Sequence, residues 1–346
     1  YDPVGNRLSD LTTSGWSNNT SNELTSRPGA SYTFDANGNT LSKTDSTGIT
    51  AYTWDFENRL TSVTLPGSGG TVTFKYDPMG RRIYKSSNSG TSVYAYDAYN
   101  LIEETNSAGA VVARYTQTQN VDEPLAMLRS GATSYYEADG LGSITSLSTT
   151  AGAVANGYTY DSFGNTVAST GALVNNFRYT GREFDAETNL YNYRARYYDQ
   201  NIGRFLTEDP KAYAGRSGIY NYVGGNPTTY TDPSGNVRIY GNWCGPNWTG
   251  GWTEEYNPAH DRVYLPPIDN VDYVCMQHDK CYYSCRAGHP CNSGDRQNCM
   301  RVCDQSLIRD EPNTTWGNII RNGIKYGNKN PDAGTNEHCG CKTKGT

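Results

Sequence analysis

An aromatic residue followed directly by aspartate recurs through the first half of this chain, and this repeat constrains the fold more than any other feature. Four consecutive copies lie 20, 22 and 20 residues apart, and a second aromatic residue stands two positions before most copies. Residues two apart in a strand share one face of a sheet, so the paired rings predict strands with an aromatic face. The copies are Tyr1-Asp2, Phe34-Asp35, Trp54-Asp55, Tyr76-Asp77, Tyr96-Asp97 and Tyr160-Asp161.

Most copies are followed by a turn signal. Gly38-Asn39 and Gly164-Asn165 are examples, and both residue types accept positive φ angles. Each unit is therefore predicted to form a strand, a tight turn and a second strand. A single hairpin is marginally stable in water, so the units must stack to bury their aromatic face. The front of the chain is predicted to be a mainly β repeat array.

The cysteines divide the chain into two parts. All nine lie between Cys244 and Cys341, and the first 243 residues contain none. This density favours disulfide bonds and an oxidising compartment. We therefore expect a small disulfide-rich domain after the repeats, in a protein that is secreted or on the cell surface.

Charge and hydropathy exclude two classes of protein. The net charge of -6, without a long run of like charge, argues against nucleic acid as the main partner. No stretch approaches the roughly 20 apolar residues of a transmembrane helix. The chain begins within a repeat and without methionine, which predicts a fragment of a longer polypeptide.

Residues 271–285 have the spacing of a helix with one buried face. His278 shares this face with Cys281 and Cys285, at steps of three and four residues. A buried imidazole without a partner is costly, so His278 needs one.

A second helical stretch near residues 296–308 carries two more cysteines four residues apart. If the two helices run antiparallel, their cysteines pair as a ladder. The predicted bridges are Cys281 to Cys303 and Cys285 to Cys299.

The same register brings Asp304 to the level of His278. A carboxylate there would hold one imidazole tautomer and stabilise the protonated ring, as in hydrolytic dyads. Upstream, the glycine-rich loop 240–250 can be tied to the helix by a bridge from Cys244 to Cys275. Loop carbonyls together with Asp279 suit a hard cation that takes oxygen ligands.

The repeats resemble the tyrosine-aspartate repeats of Rhs proteins from residue 1 to about residue 235. The most specific block runs from Tyr220-Asn221-Tyr222-Val223 to Asp232-Pro233-Ser234-Gly235 and resembles the end of an Rhs core. The resemblance implies a β-sheet wound into a hollow shell over 1–180, a core end over 181–236, and a variable toxic domain over 237–346. An immunity protein is an expected partner of such a toxin.

An Rhs core end can cut the chain just after its Asp-Pro-x-Gly motif. Carried over, the resemblance implies a pair of Asp209 and Asp232 and a cut between Asn236 and Val237. Two carboxyl groups that share a proton supply one acid and one base for peptide hydrolysis. Ala212 and Asn236 stand where glycine and leucine are usual. The alternative is that both Asp-Pro pairs are simple turns.

Residues 237–310 are similar to small plant and microbial secreted phospholipases A2. The motifs are Tyr-Gly-x-x-Cys-Gly, then Cys-x-x-His-Asp-x-Cys-Tyr, then Cys-Asp. The resemblance implies calcium-dependent hydrolysis of the sn-2 ester of membrane glycerophospholipids, with His278 as the general base.

The same resemblance assigns the remaining roles. Asp304 lies behind the base and Tyr282 hydrogen-bonds that aspartate, while the amide of Gly245 holds the oxyanion. Asn247 replaces a glycine, and Val274 stands where a second cysteine is common. The implied calcium ligands are Trp243, Gly245, Asn247 and Asp279.

Three other interpretations of residues 237–346 stay open. One is a zinc cluster of Cys275, His278, Cys281 and Cys285, with His289 and Cys291 nearby. Another is a phospholipase-like domain that is catalytically inactive and only disrupts membranes. The third is a cell-surface shell or adhesin, in which the tail is a zinc- or disulfide-stabilised cap.

Overall fold

The computed structural model describes two parts of the chain. The first is residues 1–236, except 4, 11, 119 and 211–217, and the second comprises 270–288, 299–300 and 302–303. The chain divides into two compact units, Tyr1–Arg238 and Ile239–Thr346. Among the described residues no helix is both long and apolar enough to cross a bilayer.

Within the described part of the first unit, sixteen antiparallel strands form one sheet, in which each strand pairs with its neighbours in sequence. This confirms the predicted mainly β fold. The strands are β1 Ser17–Asn18, β2 Leu24–Arg27, β3 Ala30–Phe34, β4 Thr40–Asp45, β5 Gly48–Trp54, β6 Leu60–Thr64, β7 Thr71–Tyr76, β8 Arg82–Ser87, β9 Gly90–Asp97, β10 Asn100–Asn106, β11 Val111–Gln117, β12 Pro124–Arg129, β13 Ala132–Ala138, β14 Ile144–Thr149, β15 Val154–Tyr160 and β16 Thr166–Thr170.

A second, four-stranded sheet follows and is almost entirely buried. Its core is aromatic, and Tyr198 and Tyr222 pack with their ring centroids 4.6 Å apart. Short 3₁₀ turns lie at Tyr179–Gly181 and Val223–Gly225. The strands are β17 Glu183–Asp185, β18 Leu190–Tyr193, β19 Arg196–Asp199 and β20 Arg204–Phe205.

The paired aromatic residues of the repeats lie on one face of the long sheet, as the spacing predicts. Tyr52 and Phe74 are buried in one hydrophobic cluster, and Trp54 and Tyr76 pack against that same cluster. The strand register shifts just before Trp54 and just before Tyr76. Such a register shift is a β-bulge, which bends the end of the strand next to the turn. The sequence pattern does not predict it.

The aromatic residue directly before the aspartate of a repeat also links its unit to the preceding unit. The hydroxyl of Tyr76 donates to the carbonyl of Leu60 at 2.7 Å. Tyr96 donates to the carbonyl of Arg82 at 2.9 Å. A buried tyrosine needs a partner for its hydroxyl, and the backbone of the neighbouring unit supplies it. Each repeat is therefore locked to the one before it.

The aspartate of the repeat closes the turn that follows the strand. The carboxylate of Asp77 accepts from the backbone N–H groups of Met79 and Arg81, both at 2.9 Å. Gly80, at φ 78°, occupies the left-handed position of that turn. The aspartates of three other copies, Asp35, Asp55 and Asp161, accept two backbone N–H groups in the same way, and so does Asp139, which follows alanine. The repeat therefore specifies a closed turn as well as a strand.

The second unit is described through one helix, α1 Asn270–Gly288, and the short segments 299–300 and 302–303. The helix spans the residues whose spacing predicts a helical face.

Candidate functional site

The end of the repeat core, residues 232–236, lies against the turn between β18 and β19. The N–H of Ala195 donates to the carbonyl of Ser234 at 3.2 Å. Gly235 has φ 73°, and a Cβ at this position would collide with the carbonyl oxygen of Tyr193. A side chain at 235 is therefore incompatible with this contact, which explains the glycine of the Asp-Pro-Ser-Gly motif.

Asp232 is buried, with 3% of its surface exposed. Its Oδ1 accepts from the backbone N–H of Asn236 at 3.0 Å. Its Oδ2 lies 3.5 Å from Nη2 of Arg196. The Asp232 carboxylate is therefore fixed beside the peptide unit that joins Gly235 to Asn236.

Arg196 connects the two aspartates that the sequence singles out. Its Nη1 donates to the carbonyl of Ile219 at 3.2 Å, and the backbone N–H of Asp209 donates to that same carbonyl at 2.9 Å. Its Nε donates to the carbonyl of Gly235. The guanidinium group of Arg196 therefore contacts the segment that contains Asp232. It also contacts the carbonyl of Ile219, to which the N–H of Asp209 donates.

The electrostatics of Arg196 include both carboxylates. Burial lowers the pKa of Arg196 below its ordinary value, and the charges of Asp232 and Asp209 oppose this shift. Its guanidinium carbon lies 3.6 Å from the centroid of the Phe205 ring, which keeps water from that side. Both aspartates therefore act on the same buried cation, in a place where charge is weakly screened.

Arg194 links the same segment to the connection between β11 and β12. Its Nη1 donates to the carbonyl of Pro233, and its Nη2 lies 2.7 Å from Oδ1 of Asp122. Sequence reasoning did not identify Arg194 or Arg196. The signal was present in the block from Tyr193 to Phe205, where arginines alternate with aromatic residues. Arginines in a buried segment must find carbonyl or carboxylate partners.

The second candidate site lies on α1. The Nδ1 of His278 is 3.8 Å from Oδ1 of Asp279, and its ring lies 4.3 Å from that of Tyr282. His278 is half-buried, so its imidazole stays accessible to a proton donor or acceptor.

Two of the disulfide bonds on α1 have both cysteines among the described residues. They join Cys281 to Cys303 and Cys285 to Cys299, the two pairings expected from the sequence. Cys275 is also disulfide-bonded. The alternative of a zinc cluster on residues 275–285 therefore does not describe this oxidised state.

Several predicted site residues lie outside the described residues. The dyad partner of His278 and the calcium-binding loop are among them, so the dyad, the calcium site and the oxyanion hole stay predictions. The residues concerned are Trp243, Cys244, Gly245, Asn247 and Asp304, together with Val237 at the predicted cut and Ala212.

Comparison with known proteins places the repeats in a family. A family model described as Teneurin YD-shell matches residues 1–221. The tRNA3(Ser)-specific nuclease WapA of Bacillus spizizenii is 34% identical over 252 residues, which cover 68% of this chain and 11% of the nuclease. Double-stranded DNA deaminase toxin A of Burkholderia cenocepacia is 35% identical over 63 residues, 18% of this chain and 4% of that toxin.

Among solved structures, the crystal structure of TcdB2-TccC3-Cdc42 is similar with a TM-score of 0.46 and 19% identity, over 60% of this chain and 13% of the other. The chain spans about a tenth of the length of the nuclease WapA.

These relatives correct two expectations. The calcium-dependent phospholipase A2 is wrong as the enzyme class, because a relative that covers 68% of this chain is named as a tRNA nuclease. The exclusion of nucleic acid as a partner has no support either. It rested on the net charge and on the absence of a long run of like charge, whereas the relative from Bacillus spizizenii is named as a tRNA nuclease.

Proposed function

The chain belongs to the teneurin YD-shell family, and we propose that its repeat core carries the C-terminal unit of a secreted toxin and releases it by cutting itself. The relatives support the toxin assignment, since one is named as a toxin and another as a tRNA nuclease. The locked repeats suit a carrier, because each unit is tied to its neighbour by aromatic side chains and closed turns.

The observation that carries the release proposal is the position of Asp232. Its Oδ1 lies 3.0 Å from the backbone nitrogen of Asn236, one residue before the proposed cut. Asp209 reaches the same buried guanidinium through the carbonyl of Ile219. Arg196 therefore lies beside the carboxylate of Asp232 and shares the carbonyl of Ile219 with the backbone N–H of Asp209.

The proposed reaction is a hydrolysis with one aspartate ionised and the other protonated, as expected for two carboxyl groups that share a proton. The ionised carboxylate takes a proton from water, and the water oxygen attacks the carbonyl carbon of Asn236. The protonated carboxyl group gives its proton to the carbonyl oxygen. Collapse of the tetrahedral intermediate breaks the bond to Val237, while the carboxyl group that took the proton from water gives it to the leaving nitrogen. A hydroxyl proton of the intermediate returns to the other carboxylate. The products are a carboxyl group on Asn236 and a free amine on Val237.

We also propose that the released unit acts on a nucleic acid, with tRNA as the first substrate to test. The support is the named activity of WapA and the named DNA target of the deaminase toxin. His278, with Asp279 beside it, is the described side chain best suited to transfer a proton near neutral pH.

Release is tested by producing the full chain as wild type, Asp209→Asn and Asp232→Asn, and separating the products by size. The wild type should give two fragments, and each variant should remain whole. The matched control is Asp161→Asn, because Asp161 is an exposed aspartate that accepts from the N–H groups of its own turn and is not one of the two carboxylates that act on Arg196. An uncut wild type, or equal cutting in all four proteins, contradicts the proposal.

The target is tested by incubating the full chain with purified tRNA. His278→Gln should slow cleavage by about 10²–10⁴-fold, the usual contribution of a general acid or base. The control is Gln277→Ala, an exposed neighbour on the same helix. Intact tRNA with the wild-type protein, under conditions where release occurs, contradicts this part of the proposal and leaves the release mechanism standing.

A further inference from the structure

Four cysteines of the second unit converge on one place. Cys281 and Cys285 lie one turn apart on α1, and their disulfide partners Cys303 and Cys299 lie opposite. The sulfur atoms of Cys281, Cys285 and Cys303 all lie within 4.8 Å of one another. Three of the four sulfur atoms therefore form one cluster, and the fourth, of Cys299, is bonded to the sulfur of Cys285.

The spacing between the bridges is the important distance. The Sγ atoms of Cys285 and Cys303 belong to different disulfides and lie 3.5 Å apart. In a tetrahedral zinc site with four thiolates, Zn–S bonds of about 2.3 Å put the sulfur atoms roughly 3.8 Å from each other. This non-bonded pair of sulfurs therefore already has nearly the separation that zinc requires.

The backbone is also in place for a metal. The Cα atoms of the bridged residues are 5.8 and 5.6 Å apart. After reduction, the two sulfurs of each former bridge need to separate by roughly 2 Å to reach the spacing of a zinc tetrahedron, which side-chain rotation provides.

We propose that Cys281, Cys285, Cys299 and Cys303 form a Zn²⁺ site when the protein enters a reducing compartment. Each disulfide reacts with two molecules of a low-molecular-weight thiol, giving two cysteine thiols and one oxidised thiol dimer. Zn²⁺ then displaces the protons of the four thiols and is bound by four thiolates. The inference concerns only the cysteines and is independent of the target of the released unit.

The surroundings favour stepwise reduction. Each bridge has one half-buried member, Cys281 or Cys299, and one member that is 1% exposed, Cys303 or Cys285. A thiol that opens the Cys285–Cys299 bridge leaves a Cys285 thiolate 3.5 Å from the sulfur of Cys303. That thiolate can attack Cys303, which forms a Cys285–Cys303 disulfide and releases the Cys281 thiolate. Two further molecules of the low-molecular-weight thiol then reduce this new disulfide.

As a consequence, α1 stays cross-linked to the segment that carries Cys299 and Cys303 when the protein moves from one compartment to another. Outside the cell the two disulfides hold the helix, and in a reducing cytosol the metal replaces them. Met300 is fully buried and packs with Cys285 and Cys303, so it excludes water from that side of the site.

The test uses the full chain, reduced with a phosphine and titrated with Co²⁺, which reports thiolate ligation by its absorption. The proposal expects one equivalent of thiolate-bound Co²⁺ in the reduced protein, displacement by Zn²⁺, and none in the oxidised protein. The double variant Cys281→Ser/Cys303→Ser should lose this step, and the control Cys339→Ser/Cys341→Ser should keep it. Equal binding by the two double variants, or none by the reduced wild type, overturns the proposal.

A second measurement needs no variant and so does not depend on whether one folds. The reduced wild type is treated with an alkylating reagent with and without Zn²⁺, and modified cysteines are identified by mass spectrometry. Zinc should protect Cys281, Cys285, Cys299 and Cys303 and leave Cys339 and Cys341 reactive. Uniform alkylation in the presence of zinc overturns the proposal.

Discussion

Arg82 of β8 forms a buried ion pair with Asp185 of β17, and this pair joins the two sheets of the repeat core. Arg82 also contacts Glu183 at 2.7 Å, and Lys85 lies 3.1 Å from Asp185. The side chains of Arg82 and Asp185 are 2% and 1% exposed. Charges this deep are stable only as a satisfied network, so the contact fixes how the four-stranded sheet lies on the long one.

Removal of one partner should therefore be costly. We expect Asp185→Asn to lower the free energy of unfolding by about 3–5 kcal/mol, because Arg82 and Lys85 lose a buried counter-charge. Denaturant unfolding of the first unit measures this. The control is Glu103→Gln at the exposed Arg114–Glu103 pair, where a loss below about 1 kcal/mol is expected. Equal losses in the two variants would refute the structural role of Asp185.

The same pair predicts a pH dependence. Burial alone would raise the pKa of Asp185, but the charges of Arg82 and Lys85 outweigh it and hold this pKa below its usual value of 3.8. A depressed folded pKa stabilises the protein above the unfolded pKa, and the contribution disappears as pH falls through the folded value. The stability difference between wild type and Asp185→Asn should therefore be constant from pH 7 to about 5 and shrink below about 4. A difference that fades already near pH 6 would contradict this assignment.

The hydroxyl of the repeat tyrosine should contribute measurably. Tyr76→Phe removes the bond to the Leu60 carbonyl and keeps the ring, so a loss of about 0.5–1.5 kcal/mol in unfolding free energy is expected. Tyr135→Phe is the control, because Tyr135 is 46% exposed. If both variants unfold at the same denaturant concentration as the wild type, the hydroxyl does not link the repeats.

Two aspartates of the same repeat motif should differ in importance. Asp77→Ala leaves the N–H groups of Met79 and Arg81 without their acceptor, and a loss of about 1.5–3 kcal/mol follows. Asp97 precedes a two-residue turn in which Ala98 has φ 47° and the residues at 97 and 100 pair directly. Asp97→Ala should therefore change stability by less than about 0.5 kcal/mol. The reverse order of the two effects would contradict the role given to the aspartate.

Local sequence patterns predict much of the secondary structure of the first unit. The strand end at Trp54 and the turn at Gly80 follow from ring spacing and from glycine at a left-handed position. Asp97 shows the limit, because the same two-residue motif leads there to a different turn. The pair of Arg82 and Asp185 was not predictable, since the partners are 103 residues apart and neither segment signals the other.

The candidate sites show the same contrast. The pairing of the α1 cysteines with Cys299 and Cys303 follows from the spacing of four residues between the two cysteines of each segment, which is a local pattern. Arg196 was missed, because its role arises from three separate segments that meet only in the folded core. The enzyme class was wrong because a motif match in the tail was extended to an activity, whereas a relative that covers 68% of the chain is named as a tRNA nuclease.

Release of the C-terminal unit by hydrolysis after Asn236 is tested most directly by mass spectrometry of the full chain expressed in water enriched in heavy oxygen. The account predicts a fragment that ends at Asn236 with one solvent oxygen in its new carboxyl group, and a second fragment that begins at Val237. The fragments should be absent in Asp232→Asn. An intact wild-type chain, a cut at another bond, or a fragment without solvent oxygen would contradict the account.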